Sequence, residues 1–350
     1  IIYGISEGLK LRTKKIILIT IRFLSFCYMI QHSSLSTLVN RNDFKVEDDL
    51  KFVRMISKSK FPVYLVFSHS SQKYLALKLF PLQSGHANTM FLSEERFTDL
   101  SHPNIASVIR VEPRIQLIDS QNKDQYFSCI IMELAPYGSF NEFISVNKIY
   151  RDESMIRTYF RQLIDALEYL HSKEIAHLDL KLENLVLGED FLLKIIDFDC
   201  AYKKHDLFVI SRGTKNYRAP EIIRNRCKKP MSADIFSAGI ILFTLKYANL
   251  PYIENTLVEG VNLKYLMDTK SERFWKFHQR FSPNDTIKDD EPDFRDLFLH
   301  MVHSDPAQRA TIGDIKKSKW YNGPVYSPQE LKTLTLRKHK ITSLIEEVEA

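Results

Sequence analysis

No two cysteines of this chain form a C-x-x-C pair. The four present, Cys27, Cys129, Cys200 and Cys227, lie far apart, which excludes a zinc site of the usual spacing and fits a reducing compartment, so a cytoplasmic location is expected. An ordinary membrane helix is also missing. The apolar run "IILITIRFLSFCYMI" (Ile16–Ile30) is 15 residues long, contains Arg22 and falls short of the roughly 20 residues a spanning helix needs. Lys10, Arg12, Lys14 and Lys15 precede it, a signal-anchor-like pattern. Residues 1–48 therefore read as an extension, disordered or signal-anchor-like, with membrane contact through residues 1–42 the less favoured expectation. The first residue is Ile rather than Met, as in a fragment or an extended gene model. Internal repeats and low-complexity tracts are absent. So is a strong charge excess: a net charge of +6 is too small and too dispersed for nucleic acid but suits anionic ligands such as nucleotides.

What is present is an ordinary globular composition. The 350 residues are 44% hydrophobic and 26% charged, enough for one large two-lobed domain or two ordinary ones with a sizeable core. Strand-like runs rich in β-branched and aromatic residues come first: Pro62–Ser68, Tyr74–Phe80, Ser107–Ile118 and Phe127–Leu134, separated by turn formers. One helix is predicted among them, over Asn88–Leu100. Further on, Ile156, Tyr159, Phe160, Leu163, Ile164, Leu167 and Leu170 recur at three-to-four spacing and predict a helix with a buried stripe over Ser154–Ser172. "ADIFSAGIILFTLKY" (Ala233–Tyr247) is apolar almost all round and predicts a helix buried on most sides. Phe294–Ser304 and Thr311–Lys317 also read as helical. The expected class is α+β: a small antiparallel sheet lobe with one helix, then a larger helical lobe, joined near Glu133–Gly138, with ligands expected in the crevice.

Phosphoryl transfer asks for a cation on the nucleotide phosphates, a carboxylate and an amide for metal, and a carboxylate to orient the attacking hydroxyl. The chain supplies these in order: Lys78 in "ALKLF", Glu94 or Glu95 on the next helix, Asp179, Lys181 and Asn184 in "HLDLKLEN", and Asp197 in "DFD". Each alone is weak, since a lone Lys is usually solvated and a lone Asp usually a turn former. Their joint order carries the argument.

With "GTKNYRAPE", "ADIFSAGIILF" and "DPAQRATI", these pieces make residues from about 49 to 321 resemble a eukaryotic protein kinase domain of the Ser/Thr type. The resemblance implies lobes at 49–134 and 135–322 and a helical tail at 323–350. It implies Asp179 as catalytic base, Lys181 on the transferring phosphoryl group, and Asn184 and Asp197 on Mg2+, with Mn2+ a possible substitute. Lys78 would bind the ATP phosphates, paired with the helix glutamate, for which Glu94 fits the register best. Met132 would be the gatekeeper, Glu133 and Ala135 would meet adenine through their backbones, and Ser57 and Ser59 would lie in the loop over the phosphates. Glu221 would pair with Arg309, and Asp234 would hold the catalytic-loop backbone. Lys181 and Thr214 point to protein Ser/Thr substrates. Small-molecule kinases of related fold lack the "APE" segment.

Four departures bear on activity. Ser57, Ser59 and Pro62 stand where G-x-G-x-x-G is usual, and Pro62 has no N–H to give a phosphate, so weaker ATP binding is expected. Leu178 replaces the arginine before the base, so the on-switch is expected not to depend on loop phosphorylation; Ser211 is the one obvious hydroxyl before Thr214. Leu182 replaces a common Pro, a neutral change. Asp199 replaces the glycine of D-F-G, restricting the backbone flip. An active kinase is the leading expectation, and a pseudokinase scaffold the alternative. Glu183 hints weakly at basic substrates, Ser139 against them, and Lys203, Lys204, His205, Arg224, Arg226, Lys228 and Lys229 form a basic cluster that could attract acidic or phosphorylated partners or simply be solvated. The tail reads as a loose surface helix begun by Ser327-Pro328.

Overall fold

The computed structural model describes residues 45–46, 49–118, 123–206, 213–251, 272–284, 287, 291–338 and 343–346. The Ile16–Ile30 run and Ser211 lie outside the described residues. Among the described residues no helix is long and apolar enough to cross a membrane. The chain divides into two compact units, one of residues up to Ala87 with Glu112–Cys129, the other of Asn88–Val111 with Ile130 onward. The α+β class is observed: a sheet unit and a mainly helical unit.

The sheet has the order β1-β2-β3-β4-β6-β5, from β1 (Lys45–Val46), β2 (Leu50–Ser57), β3 (Val63–Ser68), β4 (Lys73–Pro81), β5 (Val108–Ile118) and β6 (Asp124–Glu133). Four strands match predicted runs to within a few residues. Strands β2 and β3 pair antiparallel with register shifts between Phe52 and Arg54 and between Met55 and Ser57. These bulges break the period-2 pattern, which is why β2 does not announce itself in sequence. In β4 the six residues Leu75 to Phe80 are all buried, so Lys78 sits inside a continuous buried run and not on one face of an alternating strand.

In the helical unit, α1 (Thr89–Glu95) starts on Asn88, whose Oδ1 accepts from Met90 N at 2.9 Å. It is shorter than the predicted Asn88–Leu100. Phe97 N and Thr98 N turn back to Glu94 O and Glu95 O, and Thr98 Oγ1 donates to Glu95 O at 3.0 Å, a local bond that competes with continuing the helix. Helix α2 (Phe140–Asn147) is capped by Ser139 at its N-terminus and by left-handed Lys148 at its C-terminus; no periodic signal predicted it. Helix α3 (Glu153–Ser172) is capped by Asp152 and buries every residue of the predicted stripe. After α4 (Pro220–Ile223), α5 (Pro230–Tyr247) is buried almost all round, as its composition predicts. Helices α6 (Glu272–Phe281), α7 (Pro292–Met301) and α8 (Ile312–Lys317) follow. Between α3 and α4 the short hairpin β8 (Leu185–Leu187) with β9 (Leu193–Ile195), and the pair β7 (Ile175–Ala176) with β10 (Tyr202–Lys203), frame the loops that matter.

The tail helix α9 (Pro328–Lys338) is not loose. Leu331 and Thr335 are fully buried, Lys332 pairs with Asp190 at 2.6 Å, and farther along Leu344 N donates to Pro136 O at 2.8 Å. The stripe of Leu331 and Thr335, one turn apart, is too narrow to stand out from the polar residues around it.

Candidate active site

The site is built on Asp234, which α5 carries into the core. Its carboxylate is wholly buried and takes the backbone N–H of His177 on Oδ2 and of Leu178 on Oδ1, both at 2.8 Å. His171 Nε2 lies 3.0 Å from the same Oδ2. A buried carboxylate is tolerated when donors meet each oxygen, and here two of those donors are consecutive peptide N–H groups. They fix the chain that enters the loop, and Leu178 adopts φ 61° there, a left-handed conformation that a non-glycine residue adopts only when its surroundings impose it.

One residue on, Asp179 is 7% exposed and its carboxylate is held on three sides. Thr214 N donates to Oδ1 at 2.6 Å, Lys181 Nζ to Oδ2 at 2.8 Å, and Asn184 Nδ2 to Oδ2 at 3.2 Å and to the Asp179 carbonyl at 2.9 Å. Lys181 Nζ also donates to Thr214 Oγ1 at 2.8 Å. Burial pulls the Lys181 pKa down, but the hydrogen bond and charge of Asp179, with Asp197 and Glu183 behind it, outweigh burial and raise it, so the ammonium stays charged. Asp179, Lys181, Asn184 and Thr214 are thus brought together, and Asp197, at φ 70°, is close enough to act on Lys181.

Phe198 is buried and packs at a tilt between Phe97 and His177, with ring centroids 5.9 and 4.9 Å away, while His177 Nε2 lies 3.1 Å from Ile196 O. Asp234, His177, Phe198 and Phe97 therefore form a continuous column. Beside it, burial and the neighbouring Asp199 push the Cys200 thiol far up, which leaves it protonated and unreactive.

Glu221 and Arg309 form a buried bidentate pair at 2.6 and 3.0 Å, and Arg309 also reaches Ser232 O and His303 O. Of the two helix glutamates, Glu94 is 6% exposed and turned inward with Phe91 and Phe97, whereas Glu95 is half-buried. Glu133 accepts from Ser107 N at 2.7 Å and from the buried Lys194 at 3.0 Å. Met132, the penultimate residue of β6, is half-buried, and the Ala135 carbonyl takes Gly138 N at 3.1 Å. Within the sheet unit, Lys78 is buried with Nζ 5.1 Å from the Phe80 ring and 6.0 Å from Phe61, in cation–π range. Ser59 Oγ donates to Phe61 O at 2.7 Å and Ser59 N to Ser57 Oγ at 3.4 Å.

Three participants escape sequence reasoning. Gly213 has φ +90°, and a Cβ there would stand 2.5 Å from Leu178 O and 3.1 Å from Asp179 Oδ1. Arg218 Nε donates to Gly213 O at 2.7 Å. Phe97 enters the column only because α1 ends early. The glycine heading "GTKNYRAPE" was the available signal for the first; the others depend on long-range contacts.

Residues 60–321 match the sequence profile of the protein kinase domain, and the chain belongs to that family. It is similar to several protein kinases. It is 35% identical over 227 residues to CBL-interacting protein kinase 26 of Oryza sativa subsp. japonica, covering 63% of this chain and 41% of the relative. It is 31% identical over 230 residues to NUAK family SNF1-like kinase 1 of Homo sapiens, covering 65% and 31%. A Dictyostelium discoideum protein named "Probable serine/threonine-protein kinase MARK-B" is 34% identical over 226 residues, covering 64% and 29%. The chain spans about two fifths or less of the length of these curated relatives.

Proposed function

We propose that the chain transfers the γ-phosphoryl group of Mg-ATP to Ser or Thr hydroxyls of proteins. The observation that supports this best is the Asp179 carboxylate, held by Thr214 N, Lys181 Nζ and Asn184 Nδ2. A carboxylate fixed in this way is preorganised to orient a substrate hydroxyl and accept its proton, which costs no reorganisation during transfer. Lys181, charged and shared with Thr214, is placed to accompany the transferring group. Asn184 spends its amide N–H donors on Asp179, which leaves Oδ1 as an acceptor. With the Asp197 carboxylate it makes a pair of hard oxygen donors suited to Mg2+, and Asn184 and Asp197 would hold it. Bound magnesium supplies neutralisation of phosphate charge. Among the described residues no backbone carbonyl accepts from the Ala135 N–H, which would meet an adenine ring edge, and Lys78 would serve the phosphates.

Purified chain and Asp179→Asn are compared for Mg-ATP-dependent labelling of a protein substrate mixture. Labelling at least a hundredfold above the variant is expected; equal labelling ends the proposal. The second reading, a nucleotide-binding scaffold without turnover, is favoured by one observation. Ser57 and Ser59 are engaged with their own loop and Pro62 offers no N–H, which leaves fewer donors for a phosphate. Nucleotide affinity measured with and without Mg2+, beside the labelling assay, separates the two.

A further inference from the structure

A groove in the helical unit, with a volume of about 710 Å³, is lined by none of Asp179, Lys181, Asn184, Asp197 and Thr214. Met231, Ile235, Pro306 and Ile312 make its apolar floor, and Lys228 and Lys229 stand on its rim. Both lysines are exposed, and neither has a carboxylate partner among the described residues. Lys204, also in the lining, is neutralised by Glu174, the one carboxylate there. Arg224 and Arg226, also exposed, precede the lysine rim in sequence. The groove therefore joins an apolar cavity of the size that accepts side chains (about 300–1,000 Å³) to a rim of uncompensated positive charge.

We propose that this groove docks an acidic segment of a partner protein, which seats an apolar side chain on the Met231–Ile235–Ile312 floor and its carboxylates on Lys228 and Lys229. Charge complementarity selects the acid. The floor selects against nucleic acid, which would meet apolar side chains where it needs cations, and against a bilayer, which cannot enter a cavity of this size. The position has a further interest. His171 and Arg309 form part of the wall; the first contacts Asp234 and the second grips Glu221. A docked segment thus touches both supports of the loops around Asp179. Docking itself does not require the phosphotransfer reading.

The test is an array of twelve-residue peptides, each with four or more Asp or Glu and one Leu, Ile or Phe, screened for binding to the purified chain by fluorescence anisotropy. Acidic peptides with the apolar anchor are expected to bind saturably. Replacing the anchor by Ser, or using Lys228→Glu/Lys229→Glu, is expected to weaken them about tenfold or more. Glutamate at the start of α5 suits a helix N-terminus, so that variant keeps its fold. Ile312→Asp, which alters the floor alone, is expected to do the same to anchored peptides only. The proposal is overturned if no acidic peptide saturates, if phosphorylated peptides or anionic phosphatidylserine vesicles are the sole binders, or if the lysine variant binds as well as the native chain.

Discussion

Gly213→Ala isolates the contact on which the placement of Asp179 depends. Gly213 adopts φ +90° with its α-carbon against the Leu178 carbonyl. An alanine pays about 1–2 kcal/mol for left-handed backbone. Its Cβ would also stand 2.5 Å from Leu178 O, and no rotamer change relieves a clash between a Cβ and a backbone oxygen. The segment must withdraw, and the first bond lost is Thr214 N to Asp179 Oδ1, a charge-assisted bond worth about 1.5–3 kcal/mol. Together these place about 3–5 kcal/mol against the assembled loop, which corresponds to a fall in turnover of about 10²–10⁴-fold. Gly85→Ala is the control: φ there is +81° with nothing within 4 Å of the added carbon, so it carries strain alone and should cost about 1–2 kcal/mol of stability and no turnover. Steady-state phosphotransfer of both variants beside the native chain is the assay. A Gly213→Ala enzyme within threefold of native turnover would refute the reasoning.

Glu221→Ala should destabilise the fold by about 3–5 kcal/mol, because it strands the buried Arg309 guanidinium; urea denaturation reads this directly. Ser57→Gly/Ser59→Gly should tighten Mg-ATP several-fold without changing kcat, as seen by titration and by KM; unchanged affinity would refute a role for these serines in limiting nucleotide binding. Burial lowers the His278 pKa from 6.5 to about 4. The unfolded chain therefore binds the proton first on acidification, and stability is lost as pH falls from about 6.5 towards 4, by about 3 kcal/mol over the whole window. His278→Gln should flatten that stretch of the stability profile, and an equal slope in native and variant would count against the assignment.

The groups of the candidate site were legible because they lie close together in sequence and obey fixed spacings. Asp179, Lys181 and Asn184 occupy six residues, and the segment from Asp197 to Asp199 follows one short hairpin. The helices with broad apolar faces, α3 and α5, were legible for the reason that burial imposes a period. What escaped was held by tertiary contact. Strand β2 is hidden by two bulges, α2 is specified by its caps more than by its face, and α1 is cut short by the Thr98 hydroxyl. The glutamate register, open between Glu94 and Glu95 in sequence, becomes distinct only in burial. The docking of the tail rests on Leu331, Thr335 and a backbone bond at Leu344, none of which sequence pattern can separate from an exposed polar helix.

Arg157 has a consequence for how the chain is made. It sits in α3, 6% exposed, and its guanidinium donates to Pro324 O at 2.7 Å and to Trp320 O. A few residues on, Arg161 donates to Tyr321 O at 2.6 Å. These acceptors arrive some 160 residues later, roughly 10–30 s of ribosomal synthesis at ordinary rates. Until then two cations on the central helix have no backbone to close over them, and the helix must keep that face in water. The helical unit therefore cannot finish its core while it is being translated; its last packing step waits for the "WYNGP" segment to leave the ribosome. A nascent chain stalled just after α7 should remain sensitive to protease within α3, and one released beyond Tyr326 should become resistant.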